Sequence, residues 1–141
     1  MHGARPTACR RWNKVVLRVI DSSVILAVMK RESGADRGSE LAQQASISAA
    51  SVAEVVTKCI EWNVPEAVAL DIIGGCGMQI IPLDESLAVV AGQLRRKAPR
   101  GVLSLGDRAC IATAMNLGAT AITADRIWAT LNLPCPVELI R

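Results

Sequence analysis

Short strand-like runs, the first of them rich in β-branched residues, alternate along this chain with segments whose apolar residues have helical spacing, and this alternation limits the folds open to it. Strand-like runs occur at residues 15–20, 45–48, 78–83, 119–123 and 137–140. Alternating strands and helices predict a mostly parallel sheet that helices cover on both faces. We therefore expect an α/β fold with a central sheet of about five strands.

Two of the intervening segments have a clear helical pattern. One follows Ser51, and its apolar residues recur at i, i+3, i+4, i+7 and i+8: Val52, Val55, Val56, Cys59 and Ile60. The other places Leu87, Val90, Ala91 and Leu94 on one face. Both patterns indicate helices that pack an apolar side against the sheet.

The length and composition favour one domain in a reducing compartment. A chain of 141 residues can bury a core without disulfides. The five cysteines include no pair at CxxC spacing, which predicts free thiols and a cytoplasmic location. The hydrophobic content of 51% is high for a monomer, so we expect a second chain to cover part of the surface.

The N-terminal residues differ from the remainder of the chain in charge. Residues 1–13 are basic and predict a mobile extension, followed by a single domain over residues 14–141. Arg18 and Asp21 interrupt the apolar run that follows, and no run reaches the roughly eighteen apolar residues of a membrane span. We expect no membrane association, and the net charge of +3 permits a nucleic-acid partner.

Two aspartates follow predicted strands directly. Asp21 ends the first strand, and Asp125 lies just past the strand that closes at Thr123. Ligands of open α/β sheets bind outside the carboxyl ends of the strands, so both acids point to a site there. The alternative is that each acid only caps the helix after it.

Two further acids occur near helix starts. Asp107 fits a capping box with Ser104, but it shares its helix face with apolar residues, and an inward-facing acid needs a partner. Glu54 fits a capping box with Ser51 and an i,i+4 ion pair with Lys58, and it lies opposite the apolar stripe. Spacing alone favours a solvated Glu54.

The chemistry of these acids is more specific when they are taken together. A group of carboxylates without histidine or cysteine suits a hard cation such as Mg²⁺ or Mn²⁺. Metal ions of this kind can activate a water molecule and neutralise the leaving oxygen in phosphodiester cleavage. The acids therefore predict a metal-dependent hydrolase.

Four short motifs carry a resemblance to a known family. They are D-S-S at residues 21–23, S-V-A-E at 51–54, S-L-G-D at 104–107 and T-A-D-R-I-W at 123–128. In order and spacing they resemble the acidic motifs of PIN-domain nucleases, closest to the VapC toxins. The resemblance covers about residues 15–141 and implies a PIN-like three-layer sandwich.

The resemblance also implies roles for particular residues and partners. Asp21, Glu54, Asp107 and Asp125 would form the acidic quartet that binds Mg²⁺ or Mn²⁺. Ser23 would be the hydroxyl that accompanies the first acid, with Thr123 as a lesser supporting hydroxyl. The family implies an endoribonuclease toxin, a homodimer, a cognate antitoxin and cellular RNA as the substrate.

RNA binding requires positive groups for the phosphate backbone. Arg108 and Arg126 stand beside two of the acids and are the main candidates. The cations at residues 95–97 and Arg100 are further candidates, although they could instead complement the dipole at a helix C-terminus. Trp128 is expected to be a packing residue.

Other classes of protein fit less well. The only histidine, His2, lies in the basic extension, which disfavours serine or cysteine hydrolases and zinc sites. A phosphotransferase of the haloacid-dehalogenase kind would need a second aspartate where Ser23 stands. The remaining alternative is a non-catalytic PIN-fold module that binds RNA or protein.

Overall fold

The computed structural model describes residues 16–141, in which five short strands form one sheet. The predicted extension over residues 1–13 lies outside the described part. The strands are β1 (Arg18–Ile20), β2 (Ser46–Ser48), β3 (Gln79–Ile81), β4 (Thr120–Thr123) and β5 (Val137–Leu139). All paired strands are parallel, and their order is β3-β2-β1-β4-β5.

Six α-helices flank this sheet. They are α1 (Ser22–Lys30), α2 (Ala35–Ala42), α3 (Ala49–Glu61), α4 (Glu66–Gly75), α5 (Glu85–Gln93) and α6 (Leu105–Leu117). Two 3₁₀ helices, η1 (Leu94–Lys97) and η2 (Arg126–Thr130), follow α5 and β4. The predicted α/β fold with a parallel sheet of five strands is confirmed. No helix within residues 16–141 is long and apolar enough to cross a membrane.

Alternation along the strands divides the core into two layers. Ile20, Ile47 and Ile122 project to one face, where α1 to α4 pack against them. Val19 and Ala121 project to the other face, which α5, α6 and η2 cover. The three-layer arrangement follows from strands that are apolar on both faces, as parallel sheets require.

The order of the strands reverses beside β1. The chain moves from β1 outward to β2 and β3, and then returns to place β4 on the other side of β1. Ile20 is in register with Ile122, and the Asp21 amide donates to the Ile122 carbonyl at 2.9 Å. The carboxyl ends of β1 and β4 therefore form the crevice in which α/β folds bind ligands.

Helix α3 begins earlier than the sequence pattern predicts. The N-cap is Ser48, whose side chain accepts from the Ala50 amide at 3.1 Å, and Ser51 lies inside the helix. The predicted capping box of Ser51 and Glu54 is therefore wrong. Ser51 is fully buried, and its hydroxyl has no hydrogen-bond partner in the described residues. Ile60, which the pattern assigned to the apolar stripe, is 66% exposed.

The corrected start of α3 can be tested with a pair of serine variants. We expect Ser48→Ala to reduce the free energy of unfolding by about 1 kcal/mol, because the Ala50 amide loses its acceptor. Ser51→Ala should be neutral or stabilising, because it removes an unpaired buried hydroxyl and raises helix propensity. Urea unfolding of both variants measures the difference, and the reverse ranking would contradict this assignment.

Candidate metal centre

Asp21 occupies the crevice between β1 and β4. It precedes α1 in extended conformation, but its side chain makes no capping hydrogen bond, so the capping alternative is wrong for this residue. The side chain is 2% exposed, and Oδ2 accepts from the hydroxyls of Ser23 at 2.6 Å and Thr123 at 2.9 Å. The other oxygen, Oδ1, is buried without a partner in the described residues.

The hydroxyl groups of Ser23 and Thr123 connect Asp21 to the loop after β4. Their oxygens lie 3.2 Å apart. Ser23 Oγ also accepts from the Ala124 amide at 2.9 Å, and Thr123 Oγ1 accepts from the Asp125 amide at 3.1 Å. Each hydroxyl thus accepts from one backbone amide and donates to Asp21 Oδ2.

Glu54 reaches the same crevice from the second turn of α3. Its carboxylate is half-buried and accepts from two hydroxyls, Ser22 at Oε1 and Ser104 at Oε2, both at 3.0 Å. The predicted ion pair with Lys58 is wrong, because Lys58 bonds to Glu61 at 3.0 Å. Helices α1 and α6 thus hold Glu54 from two sides, although the pattern of α3 alone favoured a solvated position.

Asp107 combines both of the roles that its sequence context suggested. The capping box exists, since Ser104 Oγ accepts from the Asp107 amide and Asp107 Oδ2 accepts from the Ser104 amide, each at 3.0 Å. The carboxylate is also half-buried and faces the other acids. Capping and membership of the acidic cluster are therefore compatible.

Three of the four predicted acids come together. Asp21, Glu54 and Asp107 each offer a carboxylate oxygen, and these atoms all lie within 4.8 Å of one another. Asp125 is not part of this group. It is exposed at the start of η2, where its Oδ1 accepts from the Ile127 amide at 3.2 Å.

Burial, together with the charge of neighbouring acids, raises the pKa of two of these groups. The pKa of Asp21 is raised from 3.8 to about 7, first by burial and then by the charge of Asp107, against the lowering effect of the Ser23 and Thr123 hydroxyls. Burial also raises the pKa of Asp107, partly offset by the Ser104 amide and reinforced by the charge of Glu54. A cation among these carboxylates would relieve both effects.

The cluster fits a divalent cation of the Mg²⁺ or Mn²⁺ type. The donor atoms are carboxylate oxygens, and residues 16–141 contain no histidine. The unpartnered Oδ1 of Asp21 is a buried acceptor that needs a positive partner. Asp21, Glu54 and Asp107 are thus the residues that could hold the ion.

Gly106 creates the space that Glu54 occupies. This glycine lies in the first turn of α6, and a Cβ at its position would overlap with the Glu54 carboxylate group. Neither this contact nor the hydroxyl bonds of Ser22 and Ser104 to Glu54 were predicted from the sequence. The available signal was that all three residues lie within the D-S-S and S-L-G-D motifs.

The two arginines predicted to bind RNA differ in their surroundings. Arg108 is half-buried, and its Nη1 donates to the Ala91 carbonyl at 3.0 Å, which joins α6 to α5. Arg126 is exposed beside Asp125. Trp128 is 1% exposed in the second core layer, so its predicted packing role is confirmed.

The role of Gly106 leads to a prediction with a matched control. We expect Mn²⁺ to raise the melting temperature of the native chain, and we expect Gly106→Ala, which displaces Glu54, to reduce that rise. Gly92→Ala places the same methyl group in open space on α5, where it should stabilise the protein by about 0.5–1 kcal/mol and preserve the response to Mn²⁺. Equal responses in both variants would contradict the role of Gly106.

The raised pKa of Asp21 predicts a pH-dependent stability of the metal-free protein. The folded state holds the proton up to about pH 7, whereas the unfolded chain releases it near 3.8, so stability falls as pH rises between these values. The Asp21→Asn variant carries no charge at this position, so its stability should not fall in this way. In EDTA, the free energy of unfolding of the variant relative to that of the native chain should increase from about pH 5 to about pH 8.

Thermal unfolding over this pH range provides the measurement. Asp71→Asn is the control, because Asp71 is exposed on α4 away from the cluster and the change in charge is the same. If the melting temperatures of the native chain and Asp21→Asn differed by the same amount at every pH, the electrostatic origin of the effect would be contradicted.

Comparisons with known structures agree on the fold. A chain of a toxin–antitoxin complex from Klebsiella pneumoniae matches with a TM-score of 0.67 and 18% identity, over 88% of this chain and 98% of that one. A chain of the DNA-bound VapBC complex from Salmonella typhimurium matches with a TM-score of 0.65 and 18% identity, over 90% of this chain and 100% of that one. Mycobacterium tuberculosis VapC20, a toxin that cleaves the sarcin–ricin loop, matches with a TM-score of 0.66 and 12% identity, over 82% of this chain and 95% of that one.

Comparisons of sequence give one family assignment. No curated protein sequence matches the chain significantly. The sequence profile of the PIN domain matches residues 18–132, which include all six predicted acidic and hydroxyl positions from Asp21 to Asp125. Since this match spans most of the chain, the protein belongs to the PIN domain family.

Proposed function

We propose that this protein is a metal-dependent endoribonuclease that acts as the toxin of a toxin–antitoxin pair. The observation that carries the proposal is the cluster of Asp21, Glu54 and Asp107 at the carboxyl end of the sheet, with one buried carboxylate oxygen left unpartnered. Such a cluster destabilises the fold unless a cation neutralises it. A function that uses the cation accounts for its presence.

In this proposal the three clustered acids hold Mg²⁺ or Mn²⁺. When bound, such an ion activates water as a nucleophile and neutralises charge on the scissile phosphate. Ser23 and Thr123 orient the Asp21 carboxylate, and Ser22 and Ser104 orient Glu54. Asp125 would contribute as a fourth acid at the mouth of the crevice, where its charge already raises the pKa of Asp107.

Fold similarity supports the biological setting of the proposal. The similar structures include VapBC and other toxin–antitoxin complexes, and one similar toxin cleaves an RNA loop. We accordingly propose a VapC-type toxin with a cognate antitoxin and a homodimeric assembly. Exposed apolar residues would supply contact surface for such partners: Val16, Leu17, Ile60, Val89, Leu105 and Ile127.

Contact with the RNA backbone would use cations near the crevice. Arg126 is exposed beside Asp125 and is available for a phosphate group. Arg108 has Nη1 bound to the Ala91 carbonyl and Nε buried, so any contact with RNA would come from Nη2. Arg126 is therefore the better supported of the two proposed contacts.

Cleavage of total cellular RNA tests the proposed activity. The native chain should produce discrete fragments with Mg²⁺ or Mn²⁺ and none with EDTA, because in this proposal the ion is what activates the attacking water. Asp107→Ala should abolish cleavage under all conditions. Asp71→Ala, at an exposed position on α4, should cleave like the native chain.

The possible results distinguish an enzyme from a non-catalytic binding module. Fragments that require metal and disappear only in Asp107→Ala would support the nuclease. Cleavage that persists in EDTA or in Asp107→Ala would contradict the proposed site. No cleavage by the native chain at any metal concentration would favour the non-catalytic PIN-fold module.

A further inference from the structure

Ser104 is the only residue within the described range 16–141 whose hydrogen bonds reach the carboxylates of two clustered acids. Its hydroxyl donates to Glu54 Oε2 at 3.0 Å, and its amide donates to Asp107 Oδ2 at 3.0 Å. The same hydroxyl also accepts from the Asp107 amide at 3.0 Å. Three hydrogen bonds of one residue thus join an acid of α3 to an acid of α6.

The bond between Ser104 and Glu54 is a tertiary contact, whereas the bonds between Ser104 and Asp107 are local. Ser104 and Asp107 form the capping box at the start of α6. Glu54 is 50 residues away in sequence and reaches Ser104 from α3. It also lies against the same turn of α6, because a Cβ at Gly106 would overlap with its carboxylate group. The capping residue of α6 therefore also fixes a side chain of α3.

The Ser104 hydroxyl both accepts and donates. It accepts from the Asp107 amide and donates its single proton to Glu54. An aspartate at this position would also cap the helix, but an ionised carboxylate has no proton to donate and would repel Glu54. Threonine carries the same hydroxyl group, and the exposed position of Ser104 leaves room for the added methyl group. A hydroxyl side chain therefore has a use here beyond helix capping.

Ser22 provides a comparison within the same site. Its hydroxyl donates to the other oxygen of the same carboxylate, Glu54 Oε1, at 3.0 Å. Within residues 16–141 its side chain forms no hydrogen bond with Asp21 or Asp107. Loss of the Ser22 hydroxyl would therefore affect Glu54 alone. Loss of the Ser104 hydroxyl would release Glu54 and would also break the capping box that orients Asp107.

Glu54 and Asp107 need such a link because their negative charges repel each other. One carboxylate oxygen of each belongs to the set of three that lie within 4.8 Å of one another. Like charges at this distance favour side-chain conformations that separate them. Hydrogen bonds from neighbouring residues orient such ligands in advance, and a cation then binds more tightly.

From these contacts we propose that Ser104 is a positioning residue that holds Glu54 and Asp107 in one geometry, so that both acids are ready to bind a divalent cation. This inference rests on the proposed function, because it takes the acidic cluster as a cation site. Ser104 acts through the two carboxylates and does not itself bind the ion. Orienting partners of this kind change cation affinity by about 10- to 100-fold.

The affinity of the purified chain for Mn²⁺, measured without RNA from the electron paramagnetic resonance signal of free Mn²⁺, tests the role of Ser104. Ser104→Ala should weaken Mn²⁺ binding by about tenfold or more, because Glu54 loses a donor and the capping box is broken. Ser104→Thr should retain near-native affinity, because threonine carries the same hydroxyl. Ser22→Ala should weaken binding less than Ser104→Ala, because the Ser22 hydroxyl bonds to one acid only.

The same measurement in a Glu54→Ala background tests whether Ser104 acts through both acids. Ser22→Ala should cause no further loss of affinity there, since the acceptor of its hydroxyl is gone. Ser104→Ala should still weaken the remaining Mn²⁺ binding, because the Asp107 amide loses its acceptor. The absence of any further loss from Ser104→Ala in this background would overturn the proposed link to Asp107.

Asp84→Ala is the control for loss of a helix cap. Asp84 caps α5 by accepting from the Leu87 amide at 2.9 Å, so this variant loses a cap of the same kind on another helix. Its lost negative charge can only weaken Mn²⁺ binding. Near-native affinity in Asp84→Ala, with a loss in Ser104→Ala, would therefore support the proposal. Equal losses in both variants, native affinity in Ser104→Ala, or weak binding by Ser104→Thr would each overturn it.

These results are distinguishable from failure of the proposed function. A native chain that binds no Mn²⁺ would overturn the cation site itself, and this inference with it. Mn²⁺ binding with the expected differences among the variants, but without cleavage of RNA, would support the role of Ser104 and reject only the nuclease activity.

Discussion

The Asp21 carboxylate is buried at the end of the central strand, and it lies close to two other acids. Its Oδ2 is satisfied by Ser23 and Thr123, but its Oδ1 has no partner within residues 16–141. A buried acceptor without a partner costs about 1–3 kcal/mol, and more when it is charged. The two core layers, which contain the preceding residues Ile20 and Val19, stabilise the end of β1 and so offset this cost.

The first turn of α6 is the second element on which the centre depends. It supplies Ser104, which bonds to Glu54, then Gly106, which leaves room for the Glu54 carboxylate, and then Asp107. One turn of helix therefore fixes two of the three clustered acids. Its own position depends on the packing of α6 against the sheet and on the bond from Arg108 to α5. The centre is thus a product of tertiary packing as well as of local motifs.

The strands, and the positions of Asp21 and Asp125 after strand ends, were predictable from the sequence because local patterns determine them. Strand-like runs identified every strand that the structure describes, and parallel pairing then placed Asp21 at the end of β1, beside the loop after β4. Glu54 was not predictable in this way. The pattern of α3 describes its contact with the sheet, whereas Glu54 faces α1 and α6, and a pattern within one helix contains no information on a second packing surface.

The start of α3 was misplaced for a different reason. Ser48 and Ser51 are both residues that favour an N-cap, and the choice between them depends on where β2 ends and not on the residues themselves. The resemblance to PIN domains placed Glu54 in the site even though periodicity did not. Motif order thus carried information on tertiary contacts that spacing within one helix lacks.

Helix capping and cation binding are compatible in this protein because a carboxylate has two oxygens. Asp107 uses Oδ2 for the capping box and Asp125 uses Oδ1 for the Ile127 amide, so each keeps its other oxygen for a second partner. Asp21 divides its oxygens in the same way between the two hydroxyls and the crevice. The capping bonds fix the orientation of the carboxylates at Asp107 and Asp125, and orientation is what a cation site requires. A capping signal is therefore no argument against a role in metal binding, and at Asp107 the capping bond orients the carboxylate that is proposed to bind the ion.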